Sequence, residues 1–481
     1  MPQIETTART TRGIQQTLFA PPVPARPEAP AEAKGVVYTK RWVVELLLDL
    51  AGYRAETNLI DTMAVEPSAG DGAFLGPMVE RLAESCRTLN RPLSDCAASL
   101  LAYELDEESA GKARALAVRI LVKSGATRAL AETLAAGWVR TGDYLFESGR
   151  IEADFVIGNP PYIRLEEIPE ETAMLYRDAW PAMRGRADLY VAFFEAALRQ
   201  LRPGGVCAFI CADRWMRNQY GAQLRNLVTS AYGVEVVVEM HNADAFADEV
   251  DAYPAITVIR RQTQGSTVVA TAGPEAEHIS PRMLSDALHP ARRRGQSAAL
   301  PGLRTAVVDT WFKGSDPWPC HSPEQLALLR RLEDRFPKLE VNARVGIGVA
   351  TGNDSVFITK NPNLVESSRL LRLAMAKDIA TGTLEWSGHY LVDPWTCRPR
   401  NGEGLVDLGK YPRLRAYFAE HATALKKRHT AVNNLNGWYK TIDRVTHALA
   451  AKPKLYIADI KVLWNKPSSH LLENYRLEAA A

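Results

Sequence analysis

The sequence predicts an α/β fold, a doubly wound and mainly parallel sheet, on three observations. Short apolar runs alternate with helical patterns from about residue 35 to 262. A glycine-bearing loop follows the first of those runs. Successive runs each end in an acidic or amide residue, at the carboxyl edge where ligands of open α/β sheets bind.

Taken in order, Trp42 to Leu50 forms a helical run, and Met63-Ala64-Val65 ends the first strand. The loop Glu66-Pro67-Ser68-Ala69-Gly70-Asp71-Gly72-Ala73-Phe74-Leu75 then opens a helix, its glycines permitting close backbone approach by a ligand. Ser99 to Tyr103 is the next strand and delivers Glu104, a carboxylate suited to ribose hydroxyls. Trp138-Val139-Arg140 delivers Thr141-Gly142-Asp143-Tyr144, where Asp143 could read an adenine amino group. Asp154 to Gly158 is a buried strand that ends in Asn159-Pro160-Pro161-Tyr162. Tyr190, Phe193, Phe194, Ala197, Leu198 and Leu201 recur at helical spacing and are read as a core-facing stripe. Val234 to Glu239 and Ala255 to Arg260 pair antiparallel to close the unit, and the polar loop between them exposes Phe246.

The Asn-Pro-Pro-Tyr turn answers a chemical problem. An exocyclic amine on a nucleobase is a poor nucleophile because its lone pair is delocalised into the ring. The Asn159 carbonyl and a backbone carbonyl of the proline pair can accept both amine hydrogens and aim that lone pair at an electrophile. Two prolines fix φ and donate no N–H, so the turn holds its carbonyls in place. Tyr162 offers a flat face to a planar base. On their own, the residues also admit a plain strand-terminating turn, and Glu104 or Asp143 singly could be solvated loop carboxylates.

Composition narrows the classes. The 481 residues suffice for two or three domains. Net charge is only +2, so a nucleic-acid surface must be local rather than a general polycation. Arg292-Arg293-Arg294 is one local excess of charge. A second runs from Lys410 to Lys466, where Lys426, Lys427, Arg428, Lys440, Arg444, Lys452 and Lys454 interleave with Tyr411, Tyr417, Trp438 and Tyr439. Six scattered cysteines lack metal spacing; Cys207 and Cys211 read as core, and Pro319-Cys320 as a linker turn. With no apolar run long enough to span a bilayer and no signal-peptide core, a cytoplasmic protein is expected.

These motifs resemble the gamma-class N6-adenine DNA methyltransferases of restriction-modification systems, the TaqI-like enzymes. The resemblance implies a Rossmann-like domain that uses S-adenosyl-L-methionine, a base-flipping mechanism and double-stranded DNA as partner. It places Val36-Val37-Tyr38-Thr39 at the family's N-terminal cofactor motif, with Thr39 near the methionine carboxylate. Glu66, Ser68, Gly70 and Gly72 fall in the glycine loop, Glu104 at the ribose position, and Asp143 with Tyr144 at the adenine position. Asn159, Pro160, Pro161 and Tyr162 match the catalytic tetrapeptide, and Phe246 the aromatic that clamps the flipped base from the other side. A separate restriction endonuclease or a phage-defence complex is a further expected partner.

The expected organisation is a disordered Pro-rich tail at 1–34, the catalytic domain at 35–262, a linker at 263–310 and an α+β target-recognition domain at 311–481. Gly346 to Ile358, a glycine turn and short strand, and Lys452 to Lys461, a later strand, resemble parts of such recognition domains. Family members usually continue further, so this domain is expected to be truncated or completed differently. A protein glutamine or ribosomal RNA methyltransferase, whose substrates present the same planar NH₂, is the nearest alternative. A catalytically silent DNA-binding subunit is the other.

Overall fold

A computed structural model describes residues 38–456, apart from 186, 248–252, 290–298, 309–312, 319–322, 339–340, 344–345, 347, 380–382, 397–403, 433–434, 451 and 455. The tail, Val36, Val37, Arg292 to Arg294, Pro319-Cys320 and residues 457–461 lie outside the described residues. The chain divides into two units between Pro337 and Lys338.

The first unit is a ten-stranded sheet. Its strands are β1 (Ala64–Glu66), β2 (Leu100–Glu104), β3 (Val139–Thr141), β4 (Ala153–Gly158), β5 (Leu201–Ala212), β6 (Gly233–Glu239), β7 (Pro254–Arg260), β8 (Thr267–Ala272), β9 (Ala299–Leu300) and β10 (Leu303–Val308), in the order β3-β2-β1-β4-β5-β7-β6-β8-β10-β9. β3, β2, β1, β4 and β5 run parallel, and β7 enters antiparallel between β5 and β6. Between β4 and β1 the order reverses, so the chain leaves the sheet on opposite sides at the ends of these two strands. That is the switch point, the place where ligands of open α/β sheets bind.

Helices cover both faces: α1 (Arg41–Ala51), α2 (Leu75–Thr88), α3 (Glu107–Lys123) and α4 (Arg128–Trp138), then α5 (Tyr144–Glu147), α6 (Glu170–Ala179), α7 (Tyr190–Gln200), α8 (Arg214–Arg217), α9 (Ala222–Ala231) and α10 (Pro281–Ala287). Strand alternation splits the interior into two cores. Val206, Ala208 and Ile210 of β5 join the core of α1 to α4, while Cys207, Phe209 and Cys211 join that of α7 and α9. The expected stripe on α7 is buried, and Phe194 meets Trp215 with ring centroids 5.0 Å apart.

The described residues of 263–310, expected as a linker, belong to the sheet and its helices instead. β8 pairs parallel with β6, β10 pairs antiparallel with β8, and Arg54 donates to Ser285 of α10 across 3.0 Å. The flanking Gly, Pro, Glu and Arg give the segment a polar average. Its β-branched runs, Thr267-Val268-Val269 and Thr305 to Val308, nonetheless fit an inner pleated surface.

The second unit is α+β: β11 (Ile358–Thr359), β12 (Leu370–Arg372) and β13 (Tyr390–Val392) form an antiparallel sheet in the order β11-β13-β12. It packs with Pro412–Glu420 around Phe357, Trp395, Leu414 and Phe418. Asp393, fully buried, accepts from His447 at 2.6 Å and lies 3.7 Å from Arg369. The expected glycine turn at 352 is present, with φ 73°, but Asp354–Phe357 is a helical turn and the strand after it has two residues. Part of the expected basic surface is structural instead. The Arg428 guanidinium donates to the carbonyls of Thr351, Trp438 and Lys440, and the hydroxyls of Tyr417 and Tyr439 are spent on the carbonyls of Val356 and Val406. Lys426 over Trp438 (5.1 Å) and Arg372 over Trp386 (4.0 Å) do present cations against rings.

Candidate active site

The crevice is built from the ends of β1, β2 and β4. Glu66 closes β1 and is 1% exposed, and its carboxyl is approached by the Phe74 and Leu75 amides without a well-formed hydrogen bond to either oxygen among the described residues. Burial first, and Glu104 second, push its carboxyl well above the ordinary carboxylate range; the Phe74 and Leu75 amides pull less strongly the other way. Glu104 closes β2 and accepts from the Gly70 amide at 2.7 Å and the Asp106 amide at 2.9 Å, so one carboxylate shapes the glycine loop. Gly70 and Gly72 have φ 53° and 100°, which a side chain would strain. A Cβ on Gly72 would also strike Leu116 at 2.8 Å, whereas one on Gly70 would meet nothing within 4 Å.

Asn159 leaves the end of β4 between two anchors. Its backbone carbonyl accepts from Ser68 Oγ at 2.9 Å, and its Nδ2 donates to Thr39 Oγ1 at 3.1 Å. The second bond fixes the amide: nitrogen toward Thr39, Oδ1 on the opposite side. Gly158 lets β4 pass β1 closely, since a Cβ there would approach Pro67 to 3.1 Å. Pro160 is buried and Pro161 half-buried. Tyr162 meets Phe246 edge to face, with centroids 6.3 Å apart and an interplanar angle of 78°, and Tyr190 at 6.4 Å. Its hydroxyl has no partner among the described residues, and burial pushes it well above the ordinary phenol range.

Phe246 is 8% exposed, not the exposed loop aromatic expected from its polar neighbours. The reason is long-range. Thr39 and Phe246 form an antiparallel bridge, flanked by bonds from Lys40 N to Ala245 O and from Ala247 N to Tyr38 O, each 2.9 Å. Trp42 Nε1 donates to Asp244 O at 3.1 Å, and Lys40 pairs with the Asp244 carboxylate.

Asp143 caps α5 through Leu145 N at 2.9 Å and accepts from Tyr176 OH at 2.6 Å. Burial raises its carboxyl despite those bonds. Tyr144 departs from expectation: its side chain is core, stacked on Phe193 at 5.5 Å with its hydroxyl donating to Gln200 at 2.9 Å. The helix begun at Asp143 turns that ring under α7, away from the loop.

Among solved structures, the type IIG restriction endonuclease BpuSI aligns at TM-score 0.46 and 14% identity, over 86% of this chain and 48% of that one. A family model described as Eco57I restriction-modification methylase matches residues 131–246. Two curated relatives align over nearly the whole chain. Type II methyltransferase M.PaeR7I of Pseudomonas aeruginosa is 40% identical over 92% of this chain and 77% of its own. Type II methyltransferase M.XhoI of Xanthomonas vasicola is 39% identical over 89% and 79%. The chain belongs to the restriction-modification DNA methyltransferases.

In this methyltransferase the structure brings Thr39, Glu66, Ser68, Gly70, Gly72, Glu104, Asn159, Pro160, Tyr162 and Phe246 to one edge of the sheet, linked by the contacts above. Sequence reading missed two features. Tyr38 OH donates to Asp71 at 3.3 Å, tying the segment before α1 to the glycine loop. Asp213, at the end of β5, accepts from His241 at 3.0 Å and pairs with Arg217. Burial pushes the Asp213 carboxyl up, but His241 and Arg217 outweigh it and hold the group below its ordinary value. The signal for Asp213 was available, because it repeats the pattern of an acidic residue at a strand end.

No helix among the described residues is long and apolar enough to cross a membrane.

Proposed function

We propose that this chain is a site-specific DNA adenine-N6 methyltransferase that draws on S-adenosyl-L-methionine, with the target base turned out of the duplex. The observation that carries the reading is the anchoring of Asn159 by Thr39 and Ser68 beside Glu66, Glu104 and the glycine loop. The residues fit the cofactor. Buried Glu66 stands in the repulsive field of half-buried Glu104, a pairing that a cationic ligand with N–H and O–H donors would relieve, and space lies open at Gly70. When bound, the cofactor supplies an electrophilic methyl group on a sulfonium.

The chain's own residues do the rest. Thr39 Oγ1 accepts from Asn159 and keeps its own proton free to donate to the methionine carboxylate, while Glu66 takes the ammonium and Glu104 the ribose hydroxyls. Asn159 Oδ1 and the Pro160 carbonyl accept the two amine hydrogens of the base, so its lone pair points out of the ring plane. Tyr162 packs on the base, offsetting an unstacking cost of a few kcal/mol. Two rings that sandwich a base stand roughly 7 Å apart in parallel, twice the contact distance of about 3.5 Å. Tyr162 and Phe246 are 6.3 Å apart and nearly perpendicular, so one ring turns as the base enters. The second unit, with cations set against rings, would grip the duplex, and the relatives' designation as type II methyltransferases supports a modification role alongside a separate endonuclease.

Incubation with methyl-labelled cofactor and, in parallel, plasmid DNA, ribosomes and peptide-release factor tests the acceptor class. Label is expected in DNA alone; label in RNA or protein would replace this reading. Tyr162→Ala is expected to raise the barrier by about 1–3 kcal/mol, roughly five- to 150-fold in rate, in single-turnover assays. Asp143→Ala is expected to cost about 1 kcal/mol of stability through the lost cap and to weaken S-adenosylhomocysteine binding about tenfold, one hydrogen bond's worth. Melting curves and calorimetry read the two effects separately.

A further inference from the structure

We infer that Tyr38 is a positioning residue that couples occupancy of the glycine loop to the placement of Phe246. The inference rests on the cofactor reading above and adds a connection to it. Residues 38–40 form a strap with three attachments. Tyr38 OH reaches Asp71 at 3.3 Å, between the two glycines whose left-handed φ values set the loop. Thr39 Oγ1 holds Asn159 at 3.1 Å. The strap's backbone grips both neighbours of Phe246, through Lys40 N to Ala245 O and Ala247 N to Tyr38 O.

Tyr38 is 42% exposed, too open for a core role, and yet its ring lies where the hydroxyl can meet the loop. A ligand that fixes Gly70-Asp71-Gly72 therefore fixes the Tyr38 hydroxyl. Through one residue of extended chain it also fixes the Thr39–Phe246 bridge. The Phe246 ring meets Tyr162 edge-on, so its placement decides whether a planar base can enter. Two routes join loop and clamp among the described residues: Ser68 through Asn159 to Thr39, and Tyr38 from Asp71 directly to the strap. The Tyr38 route is the one that reaches Ala247 without passing through Asn159, and such a bonded path is what an energetic coupling between two sites requires.

The experiment is amide hydrogen exchange at Lys40 and Ala247 in the full chain, with and without S-adenosylhomocysteine, whose binding is measured by calorimetry. In the wild type, ligand is expected to slow exchange at both amides by roughly fivefold or more. Tyr38→Phe, which removes one oxygen, is expected to bind the ligand and lose the slowing at Ala247. Asp71→Ala breaks the same bond from the other side and is expected to do the same. Binding to the wild type without protection at Ala247, or wild-type protection in either variant, overturns the coupling and leaves the cofactor assignment standing. Absence of binding to the wild type overturns both.

Discussion

Asn159→Ala is expected to abolish methyl transfer to DNA, by roughly 10²–10³-fold or more, the scale seen when one preorganised polar group is removed from a developing charge. The geometry explains why a single amide matters so much. Asn159 Nδ2 is committed to Thr39 and the backbone carbonyl to Ser68, so Oδ1 is held in one orientation before any substrate arrives. A water molecule in its place would have to be ordered at each turnover. S-adenosylhomocysteine should still bind, because Glu66, Glu104 and the glycine loop are untouched. Stability should fall only by about 1 kcal/mol, the net worth of the lost Thr39 bond. Single-turnover assays with calorimetry on the same preparation check all three. A variant that also lost the ligand would assign Asn159 to the cofactor rather than to the base.

The second large effect belongs to Glu66→Gln, which should strengthen the fold and weaken the cofactor. Glu66 is buried next to Glu104, and its carboxyl is pushed well above the usual range. Between the ordinary carboxylate pKa of the unfolded chain and that raised value, the folded protein keeps a proton the unfolded chain releases. Stability therefore falls as pH climbs through this window, and the penalty is complete above it. The neutral amide avoids that penalty. The variant should be more stable than the wild type at high pH, because the amide cannot ionise in the buried site, with the gain fading toward the ordinary carboxylate pKa. Affinity for S-adenosylhomocysteine should drop about a hundredfold, because a charge-assisted contact with the ammonium is replaced by a neutral one. Denaturant melts across pH and calorimetry would show the two changes in opposite directions. A destabilised variant with unchanged affinity would make Glu66 a structural group only.

Much of the crevice was legible because it is local. β1, β2 and β4 are short apolar runs, and each polar residue that closes them stands next in sequence, so Glu66, Glu104 and Asn159 could be placed from spacing alone. What escaped depends on contacts distant in the chain. Phe246 looked exposed because its neighbours are polar; pairing with Thr39, more than two hundred residues earlier, buries it. Tyr144 lies beside Asp143 in sequence, but the helix that Asp143 caps sends the ring into the core. β8 and β10 were obscured by the polar turns around them. Arg428 counted toward a local basic surface because charge is visible in sequence, whereas the carbonyls of Thr351, Trp438 and Lys440 that claim it are not.

Mass spectrometry of the nucleosides from DNA incubated with this chain and isotopically labelled cofactor tests the central claim most directly. Labelled N6-methyladenine should accumulate with the wild type and be absent with Asn159→Ala. Label in a methylated cytosine, or equal adenine methylation by both proteins, would contradict the account.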